Sequence, residues 1–230
     1  MSGVQDGGGM GHEVVAGRLS GRVYGLLKTR LVEGEFPAGK RISIESLRQD
    51  YGVSKQPLME AFRLLASDGI VEIVPQVGCR PMAYTQNEIA DFFRVFAGSE
   101  GAVAAAAATR CDDGQVLALR RLLGETQRLS EEDSVEVRAR RYRESNRRFH
   151  SRIHEMAASR VIDSLSRRMW DLSDYLVNTV AWTGGFAEHT AERHGDHERI
   201  VEAFEARDVE RARQEMSQHI LHTVSLLDLK

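Results

Sequence analysis

The stretch that most constrains this chain runs from Arg41 to Arg80: two short helical patterns joined by a tight turn, then a hairpin pattern. Ser43 is placed to cap the first helix, with Ser46 three positions on. Leu47 and Tyr51 supply its inward side. Gly52 ends it and Ser54 caps the next, so Gly52-Val53-Ser54 is the short connection a helix-turn-helix requires. Pro57 falls in the first turn of the second helix, where a missing N–H is tolerated. Leu58, Ala61, Phe62 and Leu65 recur at helical spacing and form a buried face. Lys55, Gln56, Met59 and Arg63 lie on or beside the exposed side. Gly69 separates this helix from β-rich Ile70–Val74. Pro75-Gln76-Val77-Gly78 makes a tip, and Cys79 to Tyr84 returns. Helix, turn, helix, hairpin is the layout of a winged helix-turn-helix.

Such a unit reads DNA by presenting the start of its second helix to base edges in the major groove. Gln56 suits a bidentate contact to adenine, and Lys55 a guanine or a phosphate. Met59 offers an apolar contact, for example to a thymine methyl. On the wing, Gln76 and Arg80 are placed for the minor groove or a phosphate. The candidate DNA-contacting set is Arg48, Lys55, Gln56, Met59, Arg63, Gln76, Gly78 and Arg80. Two-helix patterns of this kind also occur in proteins that never touch nucleic acid, and a protein-interaction module stays open on the pattern alone. The net charge of −3 does not by itself suggest a nucleic-acid binder, so binding would come from a local patch.

Upstream, Val14, Val15, Leu19, Val23, Leu26, Leu27, Leu31 and Val32 have helical spacing, and Gly34, Pro37 and Gly39 end the run. This predicts a helix over about 14–33. The Gly-rich start, without a basic and apolar leader pattern, reads as a disordered tail over 1–13. No run on the order of 18 apolar residues occurs, so no membrane span is expected. The two cysteines, Cys79 and Cys111, show no pairing or metal spacing, and a reducing cytoplasm is the simple expectation.

The segment GVSKQPLMEAFRLLASDGIVEIVPQVGCR resembles the reading head of GntR-family transcription regulators. The resemblance covers about residues 14–84. Where that family commonly carries a GVSRTPVREAL-like helix, this chain has Lys55 for the Arg after Ser, Gln56 for Thr and Met59 for a second Arg. A frequent Arg of the preceding helix is Glu45 here. The resemblance implies the family's way of docking with a different operator.

From Thr85, a capping candidate, onward the pattern is helical: about 87–110 with an Ala-rich second half, 112–130, 134–158, 160–180, 186–207 and 208–229. Trp182–Gly185 reads as a loop and Asp208 as the cap of the last helix. The expectation is mainly α, with a winged helix-turn-helix over 14–84 and an all-helical bundle over 85–230.

Seven of the eight histidines lie between His150 and His222. Helical phase sorts them. His150 shares a face with Asn146, Ile153 and Ala157. His197 precedes Ile200, Val201 and Phe204 at core spacing. His219 lines up with Ala212, Met216 and Leu226. His222 falls with Glu215 and Gln218 on a solvent face, while His154 and His194 are ambiguous. Three inward imidazoles on three helices form a candidate metal site, although each taken singly is more readily a satisfied core or surface histidine.

NRRFHSRIHEMA and HGDHERIVEAFEARDVERARQEMSQHI resemble the FCD effector domain of the FadR branch of the GntR family, over about residues 86–226. The resemblance implies a divalent metal, zinc or nickel, held by Asn146, His150, His197 and His219, and a small carboxylate effector beside it. Asn146 stands where metal-binding members often have Asp, and a neutral amide is the weaker ligand. Arg94 is a candidate partner for the effector carboxylate, with a surface or interhelix salt bridge as its other reading. Three histidines with an open position also suit catalytic zinc, so a metal-dependent enzyme with a winged-helix appendage is the alternative. No HExxH spacing or nucleophile motif supports it. The expected protein is not an enzyme but a cytoplasmic, homodimeric, effector-responsive regulator of the repressor type, its partners operator DNA and a small acid.

Overall fold

The computed structural model describes residues 9–127, 134–180 and 190–227. The predicted loop at Trp182–Gly185 and the first eight residues lie outside them. The chain divides into two compact units, residues 1–83 and 84–230, and each has its own core.

In the first unit, α1 spans Gly9–Val32, α2 Ile44–Tyr51 and α3 Lys55–Ser67. The helix predicted over 14–33 thus begins earlier, and residues 9–13 are helical instead of belonging to a disordered tail. Once a helix is nucleated over its apolar part, each added residue gains a backbone bond at low cost, and no proline intervenes. Val23, Leu27 and Leu31 recur one turn apart on α1 and are buried, as are Leu58, Ala61, Phe62 and Leu65 on α3, against which α1 packs. Ser43 accepts a hydrogen bond from the Ser46 amide at 3.2 Å, capping α2. Gly52 closes that helix in the left-handed region at φ 62°. Tyr51, expected to face inward, is half-buried and accepts a hydrogen bond from Arg30 Nη1 at 3.0 Å.

Ser54 has the extended backbone of a cap, but its side chain caps nothing. The residue three positions on is Pro57, which has no N–H to donate. The same proline that is tolerated inside the first turn removes the cap's natural partner. Strands β1 (Val71–Val74) and β2 (Gly78–Pro81) pair antiparallel, with Val71 opposite Pro81 and Val74 opposite Gly78. The tip turns through Gln76 at φ 62° and Gly78 at φ 119°. The returning strand ends at Pro81 instead of running to Tyr84. Ile42 extends the hairpin by one bridge, its N–H donating to the Cys79 carbonyl at 2.8 Å.

The second unit contains α4 (Gln86–Arg110), α5 (Asp113–Gln127), α6 (Val135–Ala157), α7 (Arg160–Val180), α8 (Thr190–Glu205) and α9 (Val209–Leu226). Thr85 and Glu88 form a reciprocal capping box at the start of α4. The Ala-rich half of α4 buries Ala97, Ala104, Ala105, Ala107 and Ala108. Small side chains let α9 approach closely: a Cβ placed on Gly101 would stand 2.9 Å from the Arg213 carbonyl oxygen. Phe93, Phe96, Phe149, Tyr175 and Phe204 complete the core. Among the described residues there is no strand outside the wing, and no helix is long and apolar enough to cross a membrane.

Candidate metal centre and nucleic-acid interface

α6, α8 and α9 bring His150, His197 and His219 together in the interior of the second unit. All three are buried to within 1% exposure. His219 Nε2 lies 3.2 Å from His150 Nε2 and 3.2 Å from His197 Nε2. The rings are held by packing: His150 lies tilted against Trp170 at 4.3 Å between centroids, and His197 against Phe149 at 4.4 Å. Burial pushes His150 and His219 well below the ordinary imidazole range and His197 down to about 3. The cluster is therefore neutral near pH 7, the state in which imidazole offers a lone pair. Asp196 lies on the far side of His219, its Oδ2 3.3 Å from Nδ1. A proton on Nδ1 makes that contact a hydrogen bond and leaves the Nε2 lone pair facing the other two rings and the Arg193 guanidinium. Asp196 also accepts from His222 Nδ1 at 2.9 Å. His222, placed on a solvent face by phase, is only one-third exposed because α8 reaches it through this carboxylate.

Asn146 sits one turn before His150, half-buried, and its Oδ1 is buried without a hydrogen-bond partner among the described residues. Three neutral imidazoles with converging Nε2 atoms, plus an orphaned amide oxygen on the adjoining turn, fit a divalent cation. Among the described residues the three histidines are the group whose donor atoms all fall within 4.8 Å of one another. Of the two ambiguous histidines, His154 is buried with Nε2 2.8 Å from Glu100 Oε2, and His194 is half-buried.

A cavity of about 60 Å³ adjoins the cluster, lined by Tyr142, Asn146, Trp170, Arg193 and Thr223 among others. Arg193 is the feature sequence reasoning missed. It is 3% exposed. Its Nη1 donates to the His219 carbonyl at 3.1 Å and to Thr223 Oγ1 at 2.9 Å. Its Nη2 lies 3.2 Å from His219 Nε2. A signal existed: Arg193 precedes His197 by four residues and shares its helix face. Arg94 is not brought to this cavity. It is 70% exposed on α4 and bonds Asp91 at 2.6 Å, the surface salt bridge that was its other reading.

On the first unit, Lys55, Gln56, Arg63, Gln76 and Arg80 are exposed, and Arg48, Met59 and Gly78 half-buried. Arg48, Lys55, Met59, Gln76 and Gly78 line one cleft between the starts of α2 and α3 and the wing. Arg80 is held by Glu72, its cross-strand neighbour. Two residues join this face that sequence reasoning left out. Arg41 is exposed, lines the cleft and lies against the wing tip at Gly78. Ser54, its hydroxyl spared from capping, stands at the start of α3.

Residues 19–80 match the bacterial regulatory proteins of the gntR family, and residues 92–222 match the FCD domain. The chain belongs to the GntR family, with an FCD domain. Its relatives include the HTH-type transcriptional repressor GlaR of Escherichia coli, 26% identical over 89% of this chain and 93% of that protein. Another is the HTH-type transcriptional regulator YdhC of Bacillus subtilis, 25% identical over 86% of each chain. Among solved structures, E. coli McbR/YncC shares the fold at a TM-score of 0.76 and 19% identity, covering 91% of this chain and 96% of the other. A transcriptional regulator GntR from Rhodococcus sp. RHA1 does so at 0.71 and 21%, covering 90% and 96%. The GntR head and the FCD domain together make this protein a ligand-responsive DNA-binding transcription regulator, and the enzyme alternative is not favoured.

Proposed function

We propose that this chain is a cytoplasmic, homodimeric repressor whose FCD domain binds a small carboxylate at the cavity beside His150, His197 and His219. The convergence of three buried, neutral Nε2 atoms carries this reading. Those histidines with Asn146 Oδ1 would hold a divalent metal, zinc or nickel. When bound, the metal supplies a Lewis-acid position for a carboxylate oxygen. Arg193, not Arg94, anchors the acid's charge, because a buried guanidinium in the cavity wall offers a fork that matches a carboxylate. The first unit docks on a pseudo-palindromic operator through Arg48, Lys55, Gln56, Met59, Arg63, Gln76, Gly78 and Arg80, one head per half-site. Acid binding shifts the population between states of unequal operator affinity. The repressor named GlaR, matched over most of both chains, supports the sign.

The test is elemental analysis of protein purified without added metal, paired with operator gel shifts over a series of short-chain acids. About one divalent metal per chain is expected, lost in His150→Ala, with an acid that weakens the shift in wild type and not in Arg193→Ala. Sub-stoichiometric metal, together with an acid response that survives both substitutions, would remove the reading.

A further inference from the structure

The cleft of the docking face carries an acid among its cations. Arg41, Arg48 and Lys55 line it together with Met59 and the wing tip, and so does Glu45. Glu45 stands at the second position of α2, with its side chain 65% exposed. Its Oε2 accepts from Arg48 Nη1 at 2.7 Å. No hydrogen bond engages Oε1 among the described residues. Facing a polyanion, a carboxylate here is repelled by every phosphate within the screening length of about 8–10 Å. A bland account exists, since an acid near a helix N-terminus is favoured by the dipole and by its pair with Arg48. That account predicts no dependence on base identity.

The chemistry of the groove says more. The donors on major-groove base edges are the exocyclic amines of cytosine and adenine. Adenine sets its amine beside the N7 acceptor, which repels a carboxylate. Guanine presents two acceptors and thymine one. Cytosine alone shows a carboxylate a donor with no acceptor beside it on the same base. We propose that Glu45 is a specificity-determining residue, with Oε1 accepting from cytosine N4 in each half-site while Oε2 keeps Arg48 alongside to offset the charge. This rests on residues 41–80 being the docking face.

The test is selection from a random duplex library by the full-length protein, at one fixed salt concentration. Wild type, Glu45→Gln and Glu45→Arg are compared by sequencing the bound pools. Wild type is expected to enrich cytosine at one position of each half-site. Glu45→Gln should lower that preference by on the order of tenfold or more and leave the other positions as they were. Glu45→Arg should move the preference at that position to guanine. Identical motifs for all three proteins would overturn the proposal while leaving the docking reading intact. So would an equal gain of Glu45→Gln on every sequence, since that is charge relief alone. Absence of any motif for wild type would instead sink the docking reading, and the proposal with it.

Discussion

Asp196 acts on the cluster from behind His219. Its Oδ2 faces the Nδ1 atoms of both His219 and His222, so it sets which nitrogen of His219 carries the proton. Asp196→Asn is expected to keep the fold and lower metal affinity by about 10–100-fold, read by chelator competition. Burial also couples the cluster to pH. In metal-free protein the histidines hold fewer protons folded than unfolded, so stability is full above the ordinary imidazole value of 6.5 and falls as pH drops toward about 3. Denaturant midpoints of metal-free protein should therefore decline below pH 6.5, and a flat profile would contradict neutral buried rings. Helical phase was enough to choose His150, His197 and His219, because each sits one or two turns from apolar residues that must face inward. Phase had no part in the choice of Arg94, which came with the family resemblance. Arg94 follows the buried Phe93 by one residue and so points about 100° away from it. Arg193 reads as an ordinary surface residue until its partners on α9 are visible.

Single elements depend on two glycines for different reasons. Gly101 lets α4 and α9 cross: an added Cβ would collide with Ser217 Oγ and stand 2.9 Å from the Arg213 carbonyl. The serine hydroxyl can turn away, though at the loss of its 3.0 Å bond to the Ala97 carbonyl, but the backbone carbonyl cannot. Gly101→Ala should cost about 1–3 kcal/mol by thermal or denaturant unfolding. Gly52 has open space around it, yet its φ of 62° makes Gly52→Ala cost about 1–2 kcal/mol. That loss should appear in the melting of the first unit and leave metal binding unchanged. Helix types and most ends were legible because apolar spacing and caps are local. The Ser54 cap was misread because it depends on the proline three residues on. Glu100 was passed over because nothing in an Ala-rich run reveals that a buried His154 waits on α6.

At the scale of the whole chain, two units with separate cores give the proposed acid and the operator separate places to bind. Linkage then requires reciprocity: whatever factor the acid takes from operator affinity, operator must take from acid affinity. Titrating the acid calorimetrically with and without operator should return the factor seen in gel shifts. The change from strand-and-turn spacing to mainly helical spacing falls near Thr85, beside the boundary between the two units. The response threshold could not be read from the sequence, because it depends on partners far apart in the chain. Arg193 is already occupied by the His219 carbonyl, Thr223 and the Tyr142 hydroxyl. On the proposed reading, an incoming acid meets a tethered rival that is present at every concentration and never diffuses away. Such a sensor is tuned from within: weakening the rival makes it respond to less acid. Thr223→Val, which deletes one of those bonds at nearly constant volume, should lower the half-saturating acid concentration without touching the binding groups themselves.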